Sequence, residues 1–420
     1  FKYIIKNKII IIFINIMKII TFQKFSWYHL LFLAYFIISF CRRRITDKLF
    51  NYYPEKSGYL FLMYNTILSH ILALIPHMIS KYLSKRKNKE IEKENDSTIE
   101  YIHHKNPYKG KNIFKSTLLV SVFDFSAEAI IFLFYFINNK HEVVSLYTLN
   151  SYLIFNTVMQ YLASYIVLKT YFYKHHYLSF LINGICILIT LILDIVFIVN
   201  KEIGEYQYYI FIIIRLLRVV LFSFGDNFAK IALSSAFLSP YSLLVFKALY
   251  ETVFLIVFSI PFIFIKMSEK YVDNASIFVG FSEYLTGINI LYSILLFICN
   301  FLYELDFLLI INKFSPSHLT LAYILESLGS TVVRLIDYPT RGKEIGWTIY
   351  FNFGIYIILL FGAMIHNEIF IINRCGLNLK TQLHLNQDFK DEFASLDSPN
   401  EDNDVDNEEN NDENKDQEIY

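Results

Sequence analysis

The chain alternates long apolar runs with short polar connections, and the length of those runs is its most informative feature. A helix needs about 20 residues to cross the hydrocarbon layer of a bilayer, with a range of about 17 to 25. Ten stretches meet or approach that length: 25–41, 58–80, 116–137, 143–168, 177–199, 207–233, 241–265, 285–311, 317–336 and 346–372. They predict an all-α, polytopic membrane protein with about ten transmembrane helices. An eleventh run, 9–22, is shorter, is interrupted by Lys18 and is flanked by Lys2, Lys6, Lys8 and Lys24. Residues 1–24 therefore read as an interfacial segment. A cleaved signal peptide fits less well, because no small-residue cleavage site follows the run.

Composition agrees. Of the 420 residues 55% are hydrophobic, with 41 Phe and 32 Tyr against 38 acidic residues. A soluble fold would leave much of that apolar surface in water, which excludes a single-domain soluble enzyme. The net charge of zero conceals a segregation. From Asp388 onward there are 14 Asp or Glu against Lys390 and Lys415, so this end carries −12 and residues 1–387 carry +12. Residues 374–420 read as a disordered acidic tail, because their end, 398–420, is rich in Asn, Asp and Glu and nearly free of apolar anchors. Cys41, Cys186, Cys299 and Cys375 form no metal-binding or redox spacing.

Orientation follows from the loops. The segment 81–116 holds ten Lys or Arg against five acids, and the positive-inside rule places it in the cytosol. With ten spans both termini are then cytosolic, and the sequon Asn274-Ala275-Ser276 is lumenal. Arg42, Arg43 and Arg44 follow the first span and are expected on the lumenal side, against that rule.

Charge inside the spans is the candidate chemistry. An ionisable group at membrane depth is costly and is expected to face a partner, a water-filled cavity or a substrate. Asp124 and Glu128 share one face of the third span, Asp194 lies in the fifth, and the sixth carries Arg215, Arg218, Asp226 and Lys230. Lys247 and Glu251 follow in the seventh, Glu304 and Asp306 in the eighth, Glu326 and Arg334 in the ninth. Spacings of four also allow Asp226 with Lys230, and Lys247 with Glu251, to be self-neutralising pairs. Two polar stripes accompany the charges: Asn150, Thr157 and Ser164 beside Asn156 and Gln160, and Asn289, Ser293, Asn300 and Glu304. Asp124, Glu128, Asn150, Asn156, Gln160, Arg215, Arg218, Lys247, Glu251, Asn300, Glu304 and Glu326 form the candidate substrate-binding set. His70 and His77 are expected to be hydrogen-bonded structural histidines. No phosphate loop, dinucleotide fingerprint, zinc-protease motif or nucleophile elbow occurs, and no cofactor or metal is expected.

The Ser-Pro entries at 239–240 and 315–316 echo each other. Together with the ten-span count, the basic loop after the second span and the hairpin 165–178 between the fourth and fifth, the pattern resembles the drug/metabolite transporter superfamily. That resemblance covers about residues 25–373 and implies two five-helix inverted repeats, 25–199 and 200–373. It departs from the family in having few helix glycines. Its leading functional implication is a secondary transporter moving a small organic solute by alternating access. In that reading Arg215, Arg218 and Lys247 complement an anionic group, while Asp124, Glu128, Glu304 or Glu326 relay protons or bind a cation. A membrane-embedded transferase and a non-transporting receptor or scaffold are the alternatives. The expected partners are the lipid bilayer and a small-molecule substrate, not nucleic acid, and the expected location is an endomembrane.

Overall fold

The computed structural model describes residues 20–22, 27–50, 55–83, 111–137, 149–198, 205–234, 238–269, 272–340, 346–373, 377 and 381. The interfacial segment before Ile20, residues 84–110 of the basic loop and nearly all of the acidic tail lie outside these described residues.

Long helices make up almost the whole of the described chain: α1 Leu30–Phe50, α2 from Glu55–Ser69 through a 3-10 turn His70–Ala73 and on to 83, α3 Lys111–Ile137, α4 Leu149–Leu168 and α5 Lys174–Ile198. There follow α6 Glu205–Ser234, α7 Pro240–Phe264, α8 Gly287–Lys313, α9 Leu319–Thr340 and α10 Trp347–His366. Seven of them are long and apolar enough to cross a membrane: α2, α3, α5, α7, α8, α9 and α10. The chain is an all-α polytopic membrane protein. Its outward-facing side chains bear this out, since Leu188, Ile192, Val257, Ile263, Ile288 and Leu291 are all exposed on helices whose polar groups turn inward. Among the remaining helices, α1 and α6 carry several arginines.

Local chemistry explains the helix ends. Ser239 caps α7: its hydroxyl accepts the Ser242 N–H at 3.1 Å, and Pro240 occupies the first turn, where it has no hydrogen bond to lose. At the second Ser-Pro, Pro316 opens a 3-10 turn, Pro316–His318, before α9, and Ser315 Oγ bonds Ser317 and His318 instead of capping.

Two ends differ from the expected spans. The first helix does not stop at Cys41 but continues to Phe50, so Arg42, Arg43 and Arg44 are helical rather than part of a lumenal loop. The tenth stops at His366, and Phe370–Ile372 forms β4, antiparallel to β1, Ile20–Phe22. The described end of the interfacial segment is thus a strand. Lys266–Glu269 and Val272–Ser276 form a second hairpin, β2–β3, which carries Asn274.

In the packing, α3 lies against α6 and α7, α4 against α5 and α6, α5 against α10, and α2 against α7. On the other side α8 lies against α1 and α2, and α9 against α1 and α10. The largest buried cluster joins Tyr35 of α1, Leu244 of α7, Leu308 and Ile310 of α8, Ile324 of α9 and Leu359 of α10. A second cluster joins Leu60, Phe132 and Leu255 of α2, α3 and α7.

Candidate functional site

Between these helices lies a cavity of about 310 Å³, a size suited to a small organic molecule. It brings together Asp124 and Glu128 of α3, Asn156 of α4, Arg215 and Arg218 of α6, Lys247 and Glu251 of α7, Glu304 of α8 and Glu326 of α9. Nine of the twelve expected site residues therefore share one wall system. Helix periodicity on any single span did not require this, because the residues come from six separate helices.

Lys247 is the centre of its deeper part. Its Nζ lies 2.7 Å from Asp124 Oδ2, donates to Glu304 Oε2 at 3.0 Å, and is 3.8 Å from Glu251 Oε1. Glu251 in turn faces His70 Nδ1 at 3.3 Å. The expected pair of Lys247 with Glu251 exists, but as the longest of three contacts. One buried ammonium among three carboxylates is held by mutual attraction in a low-dielectric setting, where removing it would leave uncompensated charge. Asp124 also packs against α6 where Gly225 leaves room: a Cβ there would stand 2.5 Å from Asp124 Oδ1.

The second expected self-neutralising pair is absent. Asp226 accepts a hydrogen bond from Gln160 Nε2 of α4, while Lys230 Nζ donates to the backbone carbonyls of Ile311, Asn312 and Phe314 at 2.9, 3.2 and 2.9 Å. Those carbonyls end α8, where the helix dipole favours a cation and the last C=O groups lack intrahelical partners. The carbonyls satisfy the lysine better than a carboxylate one turn away on its own helix, so each partner of the presumed pair is taken by another helix.

The remaining expected residues fall elsewhere. Gln160 acts through Asp226. Asn300 donates to Asn65 Oδ1 at 3.0 Å, and Asn65 donates to the Ser293 carbonyl at 3.1 Å. That chain fastens α2 to α8 behind the cavity, so this part of the eighth-span stripe is structural and only Glu304 reaches the lining. Asn150 lies in α4, but its side chain is outside the described residues. In the fourth-span stripe Ser164 donates to Asn227 Oδ1 at 2.9 Å, again a helix-to-helix tie.

Sequence reasoning missed Arg42, Arg43, His70 and Tyr303 as lining residues, and Asp226 and Arg334, embedded charges left out of the expected set, line the cavity too. Arg43 donates to Ser330 Oγ of α9 at 2.5 Å, and the Arg42 guanidinium lies 4.6 Å from the centre of the Tyr303 ring. Of the arginine run that resisted the positive-inside rule, Arg42 and Arg43 thus line the cavity, while Arg44 lies 5.3 Å from the centre of the Phe40 ring on its own helix. Arg218 donates to Glu128 Oε1 at 2.6 Å and sits 4.9 Å from the Phe222 ring. His77, by contrast, meets only Ser242 Oγ at 3.1 Å, as a structural histidine would.

The cavity is asymmetric along the bundle. It reaches Asp226 on α6, Phe307 on α8 and Tyr323 on α9, and none of its lining residues lies beyond them toward Lys230. At that end lie the Lys230 contacts, with Phe314 packed on His29, just before α1, and on Phe32 of α1, both at 5.3 Å, and on His318 at 5.1 Å.

No protein-family model matches the sequence, and a search of the curated proteins gives no match either.

Proposed function

We propose that the protein is a secondary transporter that moves a small organic solute across a membrane by alternating access, with the cavity as its solute site. The observation that carries this reading is a charged cavity between helices of both halves, which among the described residues is bounded toward one end by the Lys230 contacts and the Phe314 cluster. Buried polar groups are costly in an apolar bundle and are kept where a polar solute must pass. A carrier also needs a site closed on one side while the other admits solute.

The helix packing supports ten spans in two inverted five-helix repeats. Replacing each helix by its counterpart five positions along turns α3 against α6 into α8 against α1, and α3 against α7 into α8 against α2. It likewise turns α4 against α6 into α9 against α1, and α4 against α5 into α9 against α10, and every one of these contacts occurs. An odd number of helices per repeat makes the two halves opposite in orientation. In this arrangement α1, α4 and α6 span with the other seven, and the charges of α1 and α6 that line the cavity are kept from lipid there. Both termini are cytosolic, the cavity faces the lumen, and the membrane is an endomembrane.

The test is uptake into proteoliposomes containing the purified protein, with nucleotide sugars, sugar phosphates, amino acids and cationic drugs, each against protein-free vesicles. Saturable uptake of at least one class, with trans-stimulation by the same unlabelled solute, is the expected result. Absence of saturable uptake across all four classes would remove the carrier reading.

A further inference from the structure

The charges lining the cavity are unevenly balanced along its depth. Lys230 of α6 bonds the turn just before α9, so α6 ends where α9 begins and the two helices run in opposite directions. On α6, Arg218 precedes Asp226 by eight residues; on α9, Glu326 precedes Arg334 by eight. At 1.5 Å per residue each helix separates its cation from its anion by about 12 Å, and the opposite directions place both acids toward the closed end and both arginines toward the other. Arg215 lies one turn farther out than Arg218, and Arg43 is bonded to Ser330, one turn before Arg334.

The outer level thus holds Arg43, Arg215, Arg218 and Arg334 against Glu128. The inner level holds Asp124, Asp226, Glu251, Glu304 and Glu326 against Lys247 and Arg42. Formal charge is +3 in the outer level and −3 in the inner one, so the cavity as a whole is neutral but strongly polarised. A simple anion would gain at the arginines and lose at the carboxylates, and a simple cation the reverse. A solute bearing both groups is complementary to both levels at once.

We propose, on the basis of the carrier reading above, that the transported solute is amphoteric, with an acidic group seated among Arg43, Arg218 and Arg334 and an ammonium group seated on the inner carboxylates, Glu304 and Glu326 among them. The spacing of about 12 Å is one of helix positions, and the long arginine side chains can span part of it, so a solute with a chain of several bonds between its two groups fits best.

The test uses 6-aminohexanoate, its N-acetyl derivative and its amide in proteoliposomes of the full chain, with glycerol phosphate and putrescine as simple ions. 6-Aminohexanoate should be taken up at least tenfold faster than either capped form and than either simple ion. Arg334→Gln should erase its advantage over the amide and keep its advantage over the N-acetyl form, while Glu326→Gln should do the opposite. Equal uptake of a capped form, or faster uptake of glycerol phosphate or putrescine, overturns the amphoteric proposal and leaves the carrier intact. Uptake of none of the five, when another solute class is carried, also overturns it; no saturable uptake of any solute removes the carrier reading beneath it.

Discussion

Lys247 Nζ on α7 stands 2.7 Å from Asp124 Oδ2 on α3 and is shared with Glu304 of α8 at 3.0 Å. One ammonium thereby joins helices from both halves of the chain, and the consequences of removing each partner are unequal. Lys247→Gln leaves three carboxylates facing one another and should cost about 3–5 kcal/mol of stability, the usual penalty for stranding buried charge. Asp124→Asn leaves Lys247 with two acids and should be far milder. Thermal unfolding in detergent should rank Lys247→Gln well below Asp124→Asn, and Lys247→Gln combined with Glu304→Gln should recover part of the loss. Equal melting points for the two single variants would mean that Lys247 is not the hub.

Arg218 is only partly buried, with side-chain exposures of 19% for it and 38% for Glu128. Replacing it with Lys retains the charge but loses the planar fork and the stacking on Phe222. Stability should change by less than about 1 kcal/mol, while saturable uptake falls several-fold at unchanged protein abundance. Parallel loss of abundance and uptake would instead mark a structural pair.

Gly225 admits the Asp124 carboxylate onto the surface of α6, and an added methyl would stand 2.5 Å from its Oδ1. That oxygen belongs to a short side chain whose other oxygen is held by Lys247, so it has little freedom to retreat. Gly225→Ala should lower uptake about as strongly as Asp124→Asn does, although it changes no charge and favours helix formation. Wild-type uptake in Gly225→Ala would show that the α3–α6 contact can relax.

The Lys230 ammonium bonds three carbonyls at the closed end. Lys230→Ala should release the turn between α8 and α9 and open that end. A cysteine placed at Ser317 should then react at least several-fold faster with a water-soluble maleimide in Lys230→Ala than in the parent. Unchanged reactivity would place the seal in the packing of Phe32 and Phe314 instead.

Asn274 lies on the hairpin β2–β3 that follows α7. If the basic loop is cytosolic, this sequon should acquire a glycan in a microsomal translation, and a reporter fused after Tyr420 should remain exposed to added protease. A protected tail would change the count of crossing helices by one.

Apolar length and charge placement were legible one residue at a time. Ten runs of the right length, and ionisable groups stranded within them, follow from the cost of polar groups in lipid, which acts on each segment separately. Helices do lie along these runs, seven of them long and apolar enough to cross a membrane, and most of the embedded charges line one cavity. What the linear order could not decide is which charge meets which. Asp226 and Lys230 are one turn apart on α6 and look self-neutralising, yet Gln160 and the carbonyls at the end of α8 take them separately. Asn300 sits on the same helix stripe as Glu304 but is spent on Asn65. Arg42 and Arg43 look like a loop cluster until α1 is seen to continue through them and to lie against α8 and α9. Periodicity sorts residues onto faces of one helix, whereas partner choice depends on which helices become neighbours and at what depth, and only the packed bundle determines that.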